Sequence, residues 1–207
     1  MRSDVKRIII NFGILLLATL ILQSYAQAQK DEKLFQEAKI LIFDKKWETA
    51  QEKLEELLEK YPKSPWYSQA IFYRAKCLEG QDGKKLDALS AYTDYIGRKD
   101  AVGGLIEESE ISIINLAYAL YEQGKKSYLS EIEKRLSSPN KRIRYYAAFQ
   151  LSYVKEKKIA EKGIPVLKEI INKEDEELKD RAKIALLRVA PESLRDFEEE
   201  KYERKAK

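Results

Sequence analysis

Histidine is missing altogether from the 207 residues of this chain, and cysteine and methionine occur once each. The first absence excludes Ser–His and Cys–His nucleophilic mechanisms, and with them zinc or haem held through imidazole. A single thiol, Cys77, cannot close an internal disulfide and reads as a small buried side chain. Glycine and proline are sparse, at 8 and 5, and no long alternating apolar–polar pattern occurs, so strands and hairpins have little to start from. No charge sign dominates: 39 basic against 35 acidic residues leave +4, which argues against a general nucleic-acid binder. Phosphate and cation loops are lacking too. Gly80-x-x-Gly83-Lys84-Lys85 has the wrong spacing and no Ser or Thr. Gly103-Gly104 runs into acids, and Asp82-Gly83 lacks the further oxygens of a calcium loop. Carboxylate pairs such as Glu55-Glu56 read as solvated helix surface. No catalytic, cofactor-binding or metal-binding residues emerge, and no cofactor is expected. An enzyme working through carboxylates alone is the least supported reading.

What is present begins at the N-terminus. Arg2, Lys6 and Arg7 precede an apolar run from Ile8 to Leu22, and Ala26-Gln27-Ala28 follows with the small-x-small pattern of a signal-peptidase site. Residues 1–28 are therefore expected to be a signal peptide and the mature chain to start at Gln29. The alternative is an uncut anchor, against which stand the shortness of the run and the good cleavage site. Removing Arg2, Asp4, Lys6 and Arg7 with the signal leaves 36 basic and 34 acidic residues, a net of +2.

The remainder reads as helix pairs. Leu34, Ala38 and Leu41 fall at helical spacing, and so do Trp47, Ala50, Leu54, Leu57 and Leu58. Asp44-Lys45-Lys46 between them fits only a tight turn, which makes the two helices antiparallel. Tyr61-Pro62 ends the second helix. Ser64-Pro65 is expected to start the third, with Ser64 as its N-cap. Ile71, Ala75 and Leu78 mark that helix; Leu86, Ala88, Leu89, Tyr92, Tyr95 and Ile96 mark the next. Gly97 to Gly104 is a loop and the expected architectural boundary.

These two pairs resemble tetratricopeptide repeats. Ala38 and Ala75 stand at the family's small position of the first helix, and Ala50 and Ala88 at that of the second. Trp47 occupies the early bulky position, Leu54 and Tyr92 the later one, and Pro62 the closing proline of the first unit. The repeat is longer than usual, with 37 residues from Ala38 to Ala75. The phrase Tyr61-Pro62-Lys63-Ser64-Pro65 is similar to the variant in periplasmic envelope proteins of the Tol-Pal and outer-membrane-assembly kind. The resemblance covers residues 31–98. It implies partner binding on the face of the first helices, which by position is Phe35, Lys39 and Ile42, then Phe72, Tyr73 and Lys76. A groove of aromatics flanked by lysines suits a peptide or helix. Equally open is that Phe35, Ile42 and Phe72 pack against neighbouring helices.

A second repeat follows. The stretch Ile143–Leu151 aligns with Leu178–Leu186 at an offset of 35 residues, with apolar and small positions in register. With Pro165 early in an intervening helix, this resembles HEAT repeats over residues 107–190. Between 134 and 158 stand eight basic residues (Lys134, Arg135, Lys141, Arg142, Arg144, Lys155, Lys157, Lys158) against one acid, Glu156. Tyr145, Tyr146, Phe149 and Tyr153 are interleaved. Lys141, Arg142, Arg144, Lys155, Lys157 and Lys158 form an alternative site, a basic patch for an acidic protein or anionic head groups. The competing reading comes from the offset. It sets the Asn140 turn beside the Asp175 turn, where Glu174, Asp175, Glu176 and Glu177 would absorb part of the charge.

The expected architecture is thus an all-α solenoid: residues 29–98 tetratricopeptide-like, 105–190 HEAT-like, and 191–207 a charged tail. The expected function is that of an exported, non-enzymatic scaffold or adaptor, periplasmic or secreted. Its partners would be proteins of the envelope, with no nucleic acid and with membrane contact secondary. The runner-up is a membrane-surface protein, held at the inner membrane by an uncut signal or by the basic patch.

Overall fold

A computed structural model describes residues 29–195 together with Leu17. The expected signal peptide, Leu17 aside, and the chain after Arg195 lie outside the described residues. Every regular element among the described residues is helical, and consecutive helices pack on each other. Two compact units result. One runs up to Ala91 and takes in Asp100–Val102; the other joins Tyr92–Lys99 to the chain from Gly103.

In the first unit α1 covers residues 29–43, α2 Trp47–Lys60, α3 Tyr67–Gly80 and α4 Lys85–Ile96, of which the part up to Ala91 belongs here. The turn at 44–46 closes with the amide of Lys46 on the Leu41 carbonyl (2.8 Å) and that of Lys45 on the Ile42 carbonyl (3.0 Å). This is the Schellman pattern, and it puts Lys45 at φ 58°, the position glycine normally fills. Leu34, Phe35 and Ala38 of α1 meet Ala50, Leu54 and Leu57 of α2 and Ala70 and Cys77 of α3 in one core. Small side chains let the helices approach. Gly80 shows the limit: a Cβ there would lie 2.4 Å from the Trp47 ring. Ser64 does not cap α3. Its hydroxyl accepts from the Trp66 amide (3.1 Å) and its carbonyl from the Tyr67 amide (3.1 Å), because Pro65 and Trp66 form a turn of their own before the helix begins.

The second unit contains α5 Gly103–Glu122, α6 Leu129–Arg135, α7 Lys141–Leu151, the single turn α8 Lys157–Ala160, α9 Ile164–Lys173 and α10 Glu176–Val189. Short 3-10 segments at Lys126–Tyr128 and Glu161–Gly163 precede α6 and α9. Gly124 (φ 87°) ends α5 with the same hydrogen-bond pattern as Lys45. Asn140 caps α7 by accepting from the Arg142 amide (2.9 Å), and Asp175 caps α10 by accepting from the Leu178 amide (3.0 Å). The two caps are 35 residues apart. The interior keeps the same interval: Leu116, Leu151 and Leu186 are all buried at steps of 35, as are Ser112, Ala147 and Ala182. The core of the α7–α10 region joins Tyr145 and Ala148 to Leu167, Ile170, Ala182, Leu186 and Leu194.

Candidate functional site

The first-helix face of the first unit is divided between core and surface. Phe35 and Phe72 are 1% and 0% exposed. Phe35 stacks on Trp66 at 4.8 Å, and Tyr73 meets both Phe35 (5.6 Å) and Phe72 (5.1 Å) edge-on. Phe72 is therefore not an accessible anchor, and nor is Phe35, which belongs to the core that α1 shares with α2 and α3. Ile42 packs partly on the same core. Half-buried Tyr73, exposed Lys39 and half-buried Lys76 remain at the surface. The Lys39 ammonium sits 5.8 Å from the Phe35 ring centre and 6.0 Å from that of Tyr73, and Lys76 sits 5.9 Å from Phe72. The lysines cover the cluster from outside. Cys77 lies in this core, and burial first, then the carboxylates of Glu55 and Glu48, push its thiol up to about 12. It stays protonated and is no nucleophile.

The basic segment of the second unit is largely paired. Lys141 reaches Glu174 at 3.1 Å, Arg142 reaches Glu107 at 2.6 Å, and Arg144 reaches Glu169 at 3.0 Å. Arg135, only 7% exposed, holds Glu110 at 2.5 Å. The Tyr145 hydroxyl donates to Glu174 (2.9 Å), and the Asn140 amide donates to Glu107 (2.8 Å). These partners draw the glutamates below the usual carboxylate range: Asn140 chiefly for Glu107, Arg144 for Glu169, Tyr145 and then Lys141 for Glu174. Burial, then the bond to Glu174, pushes the Tyr145 phenol up to about 12. Lys157 leans toward Glu161 at 3.8 Å. Of the six residues proposed for the patch, only the exposed Lys155 and Lys158 have no carboxylate partner among the described residues.

A groove that sequence reasoning missed opens between α7 and α10, with a volume of about 280 Å³. One wall is Tyr146, Phe149, Gln150 and Tyr153; the other is Arg181, Ile184, Ala185 and Arg188. The α10 wall is a helical stripe at steps of three and four, the other runs along α7 into the turn at Tyr153, and each residue lies 35 positions from its counterpart across the groove. The Arg181 guanidinium lies 5.3 Å from the Phe149 ring centre and that of Arg188 4.1 Å from Tyr153. Arg188 also donates to the Ser152 hydroxyl at 3.0 Å. Tyr153 is 54% exposed, Ile184 58% and the neighbouring Leu187 50%. The signal was in the sequence: on α10, Ile184 and Leu187 are apolar yet fall off the stripe Leu178, Ala182, Leu186, Val189.

Among the described residues no group of three His, Cys, Asp or Glu side chains could hold a metal ion, and no helix is long and apolar enough to cross a membrane. No protein-family model matches the chain, and neither a curated protein nor a solved structure does.

Proposed function

We propose that this chain is an exported, non-enzymatic scaffold of the cell envelope, an α-solenoid with tetratricopeptide-like units followed by HEAT-like ones, which binds protein partners. The observation that carries the reading is the α7–α10 groove, where large apolar side chains stand in solvent on helices whose opposite faces already fill the core. The architectural part is supported by burial of the small residues on which both likenesses rest. Ala38, Ala50, Ala75 and Ala88 in one set, and Ala147 and Ala182 in the other, are each 0% exposed. The membrane-surface alternative draws on the basic patch, and the ion pairs at Lys141, Arg142 and Arg144 leave that patch little free charge. Osmotic-shock fractionation tests the reading against that alternative. A scaffold is released with the soluble envelope fraction and carries a start at Gln29 by mass spectrometry. Retention with membranes and an intact Met1 would favour the anchored form.

A further inference from the structure

We propose that the α7–α10 groove takes an acidic segment of a partner protein that presents an aromatic or aliphatic side chain. The inference rests on the scaffold reading and adds the chemistry of the ligand. Arg181 and Arg188 differ from three arginines of the same unit. Arg135, Arg142 and Arg144 are each engaged by a glutamate. No carboxylate lines the groove, and among the described residues neither Arg181 nor Arg188 meets one. Both guanidinium groups rest on rings, at 5.3 and 4.1 Å. A guanidinium held over a ring keeps N–H groups for a carboxylate, and Arg188 gives one of its own to Ser152. Between the two charges Ile184 and the exposed edge of Tyr153 supply an apolar floor. Acidic side chains over the arginines, with an apolar one between, complete both requirements. Single-stranded nucleic acid also stacks on aromatic and arginine groups, but it needs a positive track along its backbone. Here Lys141, Arg142 and Arg144, on the helix that forms one wall, are already tied to glutamates.

The test is fluorescence anisotropy on the full chain with a labelled pool of short peptides rich in Asp and Glu, each carrying one Phe or Leu. A charge-inverted Lys pool and a single-stranded oligonucleotide serve as comparisons. The acidic pool is expected to bind, more weakly as salt rises, and the Lys pool not to bind. Arg181→Glu with Arg188→Glu should weaken binding by about tenfold or more. Ile184→Glu, which leaves both arginines in place, should weaken it as well. Arg181, Ile184 and Arg188 are exposed, so all the variants should remain folded, the arginine pair giving up only its ring contacts and the bond to Ser152. Equal binding by the variants, or tighter binding of the oligonucleotide, would overturn the proposal. So would binding that appears only after residues 196–207 are removed, which would make the chain's own charged tail the occupant. If the acidic pool fails but a photoreactive side chain placed at Leu187 still gives a discrete adduct in intact cells, the scaffold reading is retained and the acidic ligand discarded.

Discussion

At the scale of single residues, two backbone positions show how closely side-chain size is prescribed. Gly80 faces the Trp47 ring so directly that an added Cβ would sit at 2.4 Å, and the half-buried indole would have to shift to admit it. Gly80→Ala is expected to destabilise the chain by about 1–3 kcal/mol through overpacking, read as a lower urea midpoint. Lys45 is the opposite case. It occupies a left-handed position at φ 58°, in the pattern that Gly124 fills without strain at the end of α5. Lys45→Gly is expected to stabilise by up to about 1 kcal/mol, and an unchanged or lower melting temperature would refute this. The sequence announces Gly124 as a helix stop, because glycine is the usual residue there. It hides the same turn at Lys45, because lysine carries no turn signal. Residue-level reading misplaces Phe35 and Phe72 for a related reason. Periodicity tells that a helix has a face, but both rings are buried, and Phe35 is covered in part by Trp66, a residue outside the helical stripes.

At the scale of elements, the interval of 35 residues organises the second unit, and it was legible because small and apolar residues repeat in register. Ala182 repeats Ala147, and both are fully buried. Ala182→Leu is expected to cost about 1–3 kcal/mol, and an unchanged denaturation midpoint would place this face at the surface. The same interval brings Arg142 to Glu107, and one of 33 brings Lys141 to Glu174. What could not be read from the sequence is which cations remain unpaired, since that depends on the reach of individual side chains across a turn. The pairing also sets a pH dependence. Glu107, Glu169 and Glu174 titrate below their ordinary 4.5 in the folded chain. A salt bridge from Lys126 at 2.6 Å, followed by the Tyr121 hydroxyl, takes Glu156 down to about 2. A depressed folded value means that the contribution is complete above about 4.5 and is lost as pH falls through the folded value. Stability should therefore decline on acidification, with the Glu156 part going between 4.5 and about 2. Lys126→Met should flatten that portion of a melting-temperature profile, and an identical profile would show that the pair contributes nothing.

At the scale of the whole molecule, composition and periodicity suffice for an all-helical chain built of consecutive packed pairs. They also exclude histidine chemistry outright. They do not identify a binding surface, because the residues that form one are those left over once the core is satisfied, and the core is known only from the fold. Ile184, Leu187 and Tyr153 belong to that remainder. The central claim is that this remainder exists to hold a protein partner. The most direct measurement is photo-cross-linking in intact cells from a reactive side chain placed at Leu187, with the exposed Glu52 of α2 as the control position. A discrete higher-mass adduct from Leu187 and none from Glu52 is the expected result. No adduct from either position, or the same diffuse smear from both, would contradict the account.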